Sequence, residues 1–378
     1  MCSSWMSKPV GLYVHVPFCI QKCPYCDFYS LPVSDDGMNS YTEAVRREIV
    51  RFVRLHPGVS ADTVYFGGGT PSLLGEARLC SILHTLTRSF CVSPDAEITL
   101  EVNPGDSLRT LLQEVRRAGW NRLSIGMQSA SDEELKLLGR RHTAAQTAAC
   151  VEDALTAGFS NFSLDLMLAI PAQTEESICR SIASCAAFGA SHVSAYLLKI
   201  EAGTPYSRCA STLSLPDEEE TASRYLLACT ELERHGFAQY EISNFAKPGK
   251  QSRHNLKYWH DAPYLGFGPA AHSFFEGRRF FYPRNLQTFC ETAAPVSDGE
   301  GGGFEEYAML ALRLREGLCR AACAERFGEA GTAAFLKVFQ KAKCYMAAGL
   351  VDGTPESVAL TREGFLVSNA LLAELLSE

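Results

Sequence analysis

Residues 15–29 read HVPFCIQKCPYCDFY and place Cys19, Cys23 and Cys26 in a C-x3-C-x2-C array. Three thiolates on one short loop suit a metal centre, because thiolate is a soft, strongly binding ligand. The tight spacing and Pro24 describe a loop, so scattered core cysteines explain the array poorly. A nearby fourth ligand would stand two residues on, at Phe28. Structural zinc normally closes its shell with four ligands, and here the fourth would have to come from far away. A [4Fe–4S] cluster usually takes four thiolates. With three, one iron stays open to a small chelating ligand, to which the cluster can pass an electron.

The elements that must position this loop follow from hydrophobic periodicity. Six apolar, β-branched runs are GLYVHVPF (11–18), TVYFGG (63–68), EITLEV (97–102), RLSIGM (122–127), NFSLDLML (161–168) and HVSAYLLKI (192–200). Between them, YTEAVRREIVRFVRL, LLQEVRRAGW, AAQTAACVEDALTAG and EESICRSIASCAAFG carry apolar residues at helical spacing. Strands alternating with helices imply βαβ units and a parallel sheet. Six units suit an incomplete barrel or an open doubly wound sheet. In both, chemistry gathers at the carboxyl ends of the strands. The polar residues gather there too. The cysteines follow the first run, GGGTP follows the second, Glu101 and Asn103 close the third, Gln128 follows the fourth, and Asp165 lies within the fifth. Separate segments therefore converge on one site.

Beyond residue 205 the pattern changes. DEEETASRYLLACTELERHG predicts an amphipathic helix with acidic residues in its first turn, where the helix dipole favours them. An aromatic stretch follows, then SDGEGGG (297–303), which reads as a linker, and helices dominate from Phe304. The expected division is a core over 1–238 carrying the loop 19–26, an extension over 239–300, and a helical, winged-helix-like domain over 301–378.

With 378 residues, 46% hydrophobic and 21% charged, the composition is that of an ordinary globular chain. No run of about 18 apolar residues occurs, so no spanning helix is expected. The opening MCSSWMSKPVGLYVHVPFC reads as no secretory signal, and Cys2 sits in no lipidation motif. A net charge of −8 weighs against binding nucleic acid or anionic membrane. Fifteen cysteines without a signal point to free thiols in a reducing cytoplasm. Cys80, Cys150 and Cys229 fall in helix-like stretches, where free cysteine acts as a small apolar residue. Cys319 and Cys323, four apart on an expected helix, read as a buried face or, alternatively, as a metal pair.

The cysteine loop, with aromatic Tyr25 inside it, resembles that of radical S-adenosylmethionine (SAM) enzymes. In that family the amino and carboxylate groups of SAM chelate the open iron, and reductive cleavage yields a 5′-deoxyadenosyl radical. The resemblance covers nearly the whole chain. YVHVPFCIQKCPYCDF, YFGGGTPSLL, EITLEVNP, NRLSIGMQS, LGRRH, YEISNFA and HNLKYW look like the branch containing oxygen-independent coproporphyrinogen III oxidase. It implies a partial (β/α)6 barrel, then a mixed extension and a small, mainly helical C-terminal domain. It also implies that Cys19, Cys23 and Cys26 ligate a [4Fe–4S] cluster. By matching motifs, Gly68, Gly69 and Thr70 approach the methionyl amino group. Glu101, Gln128, Arg140 and Asp165 contact SAM, with Tyr13 and Tyr25 nearby. Glycine permits close backbone approach, a carboxylate binds ribose hydroxyls, and arginine pairs with a carboxylate. On residue types alone, GGG is a tight turn and Arg140 a surface ion pair. Glu101 and Asp165 lie in apolar strand contexts, where buried carboxylates need partners.

Within that branch the oxidase has C-x3-C-x2-C-x-C and a longer segment before its first strand. Here Phe28 takes the place of the fourth cysteine, and about ten residues precede Gly11. HNLKYW resembles the H-N-x-x-Y motif of HemW-type haem chaperones, which deliver haem to haem proteins. It makes His254 the candidate axial ligand, with Asn255 and Tyr258 as its shell. On residue physics alone the same residues read as a structural histidine beside a core tyrosine. FFEGRRFFYPRN (274–285) reads as a hairpin with a packed aromatic side, or as a porphyrin cover whose Arg278, Arg279 and Arg284 meet propionates. Where the branch reads close to DLIYGLP, this chain has DLMLAIP, so Leu168 and Ala169 replace an aromatic residue and a glycine, a change expected in the wall of the site. The resemblance implies a cytoplasmic protein with a cluster, SAM, and haem as cargo. Its partners would be haem-accepting proteins, a flavodoxin- or ferredoxin-type reductant and, transiently, membrane proteins, but no nucleic acid. Oxidation of coproporphyrinogen III to protoporphyrinogen IX is the enzymatic alternative, and a zinc-bearing regulatory protein the third.

Overall fold

The computed structural model describes residues 8–105 and 108–377. Cys2 and most of the opening segment lie outside the described residues. Six parallel strands form the centre: β1 (Val10–Val16), β2 (Ser60–Gly68), β3 (Cys91–Val102), β4 (Arg122–Gln128), β5 (Phe162–Leu168) and β6 (His192–Leu197). They lie side by side in chain order. Right-handed crossovers without a reversal of order send every connecting helix to one face. A doubly wound sheet reverses its order and uses both faces. The sheet is therefore an open, partial barrel whose inner face is left free for a site.

The outer face is covered by α1 (Asp35–Leu55), α2 (Gly75–Ser89), α3 (Arg109–Ala118), α4 (Ala144–Thr156), α5 (Glu175–Ala187) and α6 (Glu218–Arg234). α1 buries Met38, Tyr41, Val45, Ile49 and Phe52, a stripe at helical spacing. Capping boxes start α4 at Thr143, α5 at Thr174 and α6 at Asp217, each satisfying amide groups that the helix leaves free. Cys150 and Cys229 are buried in this helical layer as small apolar residues, and Cys80 is half-buried in it. β4 shows the logic of the strands. It is buried throughout, with Leu123, Ile125 and Met127 in the core and Arg122, Ser124, Gly126 and Gln128 on the opposite face.

The extension is woven into the same sheet. β7 (Asn244–Ala246) pairs antiparallel with β6, and β8 (Tyr264–Phe267) pairs parallel with β1. Between them α7 (Arg253–Trp259) carries the HNLKYW motif. β9 (His272–Phe275) and β10 (Arg278–Phe281) form the expected hairpin. Its two loop residues, Glu276 and Gly277, have φ of 51° and 75°, the type I′ geometry that matches strand twist. SDGEGGG is not a linker throughout, because β11 (Val296–Glu300) pairs with β10 and only residues 301–303 lead onward. Its glycines concealed a strand whose partner is set by tertiary pairing rather than by propensity.

The C-terminal part holds α8 (Phe304–Ala311), α9 (Arg320–Ala347) and a three-stranded antiparallel sheet from Leu318–Cys319, Val351–Thr354 and Ser357–Leu360. Cys319 is exposed just before α9 and Cys323 is buried within it, so the two do not act as a metal pair. A buried ion network fastens this part to the sheet. The Asp261 carboxylate meets Arg279 of β10 at 2.9 Å and also Arg326 of α9, while Arg279 meets Glu306 of α8 at 2.6 Å. No helix among the described residues is long and apolar enough to cross a membrane.

Candidate functional site

The cysteine loop leaves β1 and is sewn to the GGGTP segment that leaves β2. The Gly69 amide donates to the Val16 carbonyl and the Thr70 amide to the Phe18 carbonyl, both at 2.8 Å. A β-carbon at Gly69 would lie 2.5 Å from the Phe18 carbonyl oxygen. Glycine is thus demanded here by the loop's own backbone, before any ligand is considered. The Cys26 amide closes a turn onto the Cys23 carbonyl at 3.1 Å, and the Tyr206 amide holds the Pro24 carbonyl at 3.0 Å. Cys19 Sγ lies 3.5 Å from Thr70 Oγ1. The three thiols are free, half-buried and open to one cavity of about 770 Å³. Among the described residues no three His, Cys, Asp or Glu side chains are gathered about a single ion. Three thiolates with no fourth residue fit a [4Fe–4S] cluster whose last iron takes a small chelate better than a closed zinc shell.

Tyr25, Gly68, Gly69, Thr70, Glu101, Gln128, Arg140 and Asp165 line this same cavity. Tyr13 does not. Its hydroxyl is 3.1 Å from His15 Nδ1, and its ring lies 6.2 Å from that of Tyr65, behind the wall. Glu101 accepts from the Tyr65 hydroxyl at 2.9 Å and the Gly68 amide at 3.1 Å. Asp165 accepts from Ser124, at 3.2 and 3.0 Å, and from Ser163 at 3.0 Å. Arg140 reaches Asn103 Oδ1 at 3.5 Å and leaves its buried Nε without a hydrogen-bond partner. A β-carbon at Gly126 would fall 2.6 Å from Asn103 Oδ1 and 3.3 Å from Arg140 Nη2, so the missing side chain keeps this cradle open. Gln128 ends β4 with φ 65°, a left-handed conformation uncommon for a residue with a side chain.

Burial pushes the Glu101 carboxyl up to about 7, and the nearby Asp165 charge adds to it. Burial raises Asp165 as well. Burial disfavours the charged form strongly enough to raise both carboxyls despite their hydroxyl and amide donors. A sulfonium or a ribose diol, both present in SAM, would add positive charge or a further donor beside them. Burial holds His192 well below its ordinary value, so its ring is neutral. Tyr240 lies 2.9 Å from its Nε2 and Ser163 2.8 Å from its Nδ1. With Ser163 donating to Asp165, the ring donates through Nδ1 and accepts through Nε2.

The HNLKYW motif sits differently. The Arg253 and His254 amides, at the start of α7, donate to Glu97 at 3.2 and 3.0 Å, a carboxylate at a helix N-terminus. His254 is 1% exposed. Its Nδ1 is 2.8 Å from Thr63 Oγ1 and its Nε2 2.8 Å from the Tyr258 hydroxyl. Burial pushes it down to about 3, so the ring is neutral with both nitrogens engaged. Of His254, Asn255 and Tyr258, only Asn255 lines the cavity. The hairpin arginines are likewise divided. Arg279 is committed to Asp261 and Glu306, Arg278 is exposed, and Arg284 lines the cavity 3.3 Å from Asp27. Leu168 is buried in the core and Met167 lines the cavity, so the expected change in the wall does not come from Leu168.

Residue types alone did not single out Tyr65, Arg122, Ser124, His192, Ser194, Tyr196 and Lys199, which also line the cavity. A signal was present. Arg122, Ser124 and Gln128 alternate with apolar residues, as do His192, Ser194 and Tyr196. A polar face at period two on a buried strand marks a wet interior. Phe28, 66% exposed, stands at the cavity mouth.

The radical SAM superfamily matches residues 13–185, and the HemN C-terminal domain matches residues 304–367. The chain is 35% identical to the heme chaperone HemW of Mycobacterium tuberculosis, over 98% of this chain and 95% of that protein. It is 33% identical to the heme chaperone HemW of Bacillus subtilis, over 97% and 99% respectively. The Escherichia coli coproporphyrinogen III oxidase HemN, a radical SAM enzyme, shares the fold with a TM-score of 0.83 at 22% identity, over 98% of this chain and 90% of that one. Likeness of this length and degree shows that the chain belongs to the HemW family of the radical SAM superfamily.

Proposed function

We propose that the protein is a haem carrier that binds haem and hands it to haem proteins. The observation that carries this reading is Phe28. It puts an exposed aromatic side chain at the cavity mouth, in the place where an oxidase-type loop has its fourth cysteine, in a chain alike from end to end to heme chaperones. Cys19, Cys23 and Cys26 hold the cluster. Gly68, Gly69, Thr70, Glu101, Gln128, Arg140, Asp165 and Tyr25 surround SAM, and Tyr13 supports Tyr65 from behind. Bound cluster and SAM supply one-electron chemistry. The chain's own part is to hold the ligand, exclude water and present the buried Glu101 and Asp165 to it. Asn255 faces the cavity from the haem motif. Axial ligation by His254 requires release of its bond to Thr63 or Tyr258.

Residues 1–238 form the SAM-binding unit in this reading, 239–300 the unit that closes it, and 301–378 a cover for cargo or partner. The partners are haem-accepting proteins, including membrane-bound ones met transiently, and a flavodoxin- or ferredoxin-type reductant, all in the cytoplasm. A second reading, oxidation of coproporphyrinogen III, is favoured by the extent of the fold shared with the oxidase. One anaerobic experiment separates them. The reconstituted protein receives SAM, reductant and coproporphyrinogen III, with a parallel haem titration. Saturable haem binding without porphyrin product supports the carrier. Many turnovers to protoporphyrinogen IX would overturn it.

A further inference from the structure

Arg122 is the first residue of β4, and its side chain faces the cavity on the same side as Ser124, Gly126 and Gln128. It is 2% exposed, and its Nε has no hydrogen-bond partner among the described residues. Glu101 and Asp165 feel its charge, yet no ion pair joins it to either. Both carboxylates are instead served by hydroxyl and amide donors. A guanidinium kept solely for stability is expected to carry a protein acceptor, because burying an unpaired charge is costly. This one is aimed, unpaired, into a cavity of the size that takes cofactor-like ligands. Arg122 and Gln128 are the two ends of β4, about 20 Å apart along the strand, so the guanidinium enters from the end away from the cysteine loop. Lys199 and Arg284 line the same cavity but are each paired with a carboxylate, Glu201 at 2.7 Å and Asp27 at 3.3 Å, so Arg122 differs from them in having none among the described residues.

We propose that Arg122 binds a carboxylate arm of the tetrapyrrole, anchoring the cargo by one propionate in the depth of the cavity. This rests on the haem-carrier reading. A propionate is only two methylenes long, so the edge of the macrocycle that bears it enters the cavity with it, against Tyr196, which lines the cavity and is 40% exposed. A planar guanidinium suits a carboxylate through two parallel hydrogen bonds.

The test is a Soret titration of the cluster-loaded protein with haem and with haem dimethyl ester, which lacks both carboxylates, alongside a SAM-binding measurement. Wild type is expected to bind haem roughly 10- to 100-fold more tightly than the ester, the scale of a charged hydrogen bond. Arg122→Met should abolish that preference and Arg122→Lys should keep part of it. Equal wild-type affinity for haem and ester overturns the proposal, whether or not the variants fold. Equal weakening of both ligands in Arg122→Met means that the residue only shapes the cavity. Loss of SAM binding with the haem-to-ester ratio preserved means that the carboxylate belongs to SAM, which also overturns it. Failure of wild type to bind either porphyrin sinks the carrier reading itself, and this inference with it.

Discussion

Replacing Glu101 by glutamine should reduce the dependence of stability on pH across neutrality. Burial lifts this carboxyl from 4.5 to about 7, with Asp165 adding to it and the Tyr65 and Gly68 donors pulling it back. A carboxyl that holds its proton more tightly when folded gives the folded state extra bound proton between those two values. Stability therefore falls as pH rises through that window and is level outside it. One pKa unit corresponds to about 1.4 kcal/mol, so the full loss is about 3 kcal/mol. Glu101 is only partly shielded from the cavity, which lowers the expected effect to roughly 1–3 kcal/mol. Glutamine carries no charge at any pH and removes this contribution. The assay is urea unfolding of both chains at about pH 5 and about pH 8.5, with unchanged m-values. Asp165, Glu241 and Asp261 titrate in both chains and largely cancel in the difference. Relief of Asp165 in the variant acts in the same direction. The stability of Glu101→Gln relative to wild type should thus be higher at the alkaline pH than at the acidic one. A difference that does not change with pH would refute the reasoning.

Ala169 adopts φ 59°, a left-handed conformation that favours glycine. Ala169→Gly should stabilise the protein by about 0.5–1 kcal/mol in urea unfolding, and a loss of stability would show that no strain is stored there. Asp261→Asn removes the buried carboxylate that Arg279 and Arg326 share and should cost about 3 kcal/mol, measured the same way. A change below about 0.5 kcal/mol would mean the network does not fasten the C-terminal part. His254→Ala removes a packed ring and strands Thr63 and Tyr258, for a loss of about 3 kcal/mol. If haem affinity and the Soret spectrum stay unchanged in that variant, His254 is no axial ligand. Cys23→Ala should abolish stoichiometric iron and sulfide after reconstitution, and full retention of both would remove the loop from the cluster site.

What the sequence by itself determined is what depends on local order. Six strands and their covering helices follow from periods of two and 3.6 in apolar residues. The cysteine loop, GGGTP, Glu101, Gln128 and Asp165 were legible as one site because a parallel sheet brings the ends of its strands to one rim. Only the tertiary structure decided what depends on who meets whom. The unreversed strand order chose the open barrel over the doubly wound sheet. Pairing with β10 turned part of a glycine-rich linker into β11. Tyr13 fell behind the wall, and Thr63 and Tyr258 claimed both nitrogens of His254, although its motif had pointed to haem. Arg122 was visible as an arginine at a strand's start, but the lack of a partner for its Nε among the described residues was not. Hydrogen-bond partners, burial and the shifts in proton affinity that follow are set by residues far away in the chain. Spacing along a sequence fixes which side chains share a face, while packing fixes which of them remain free to bind.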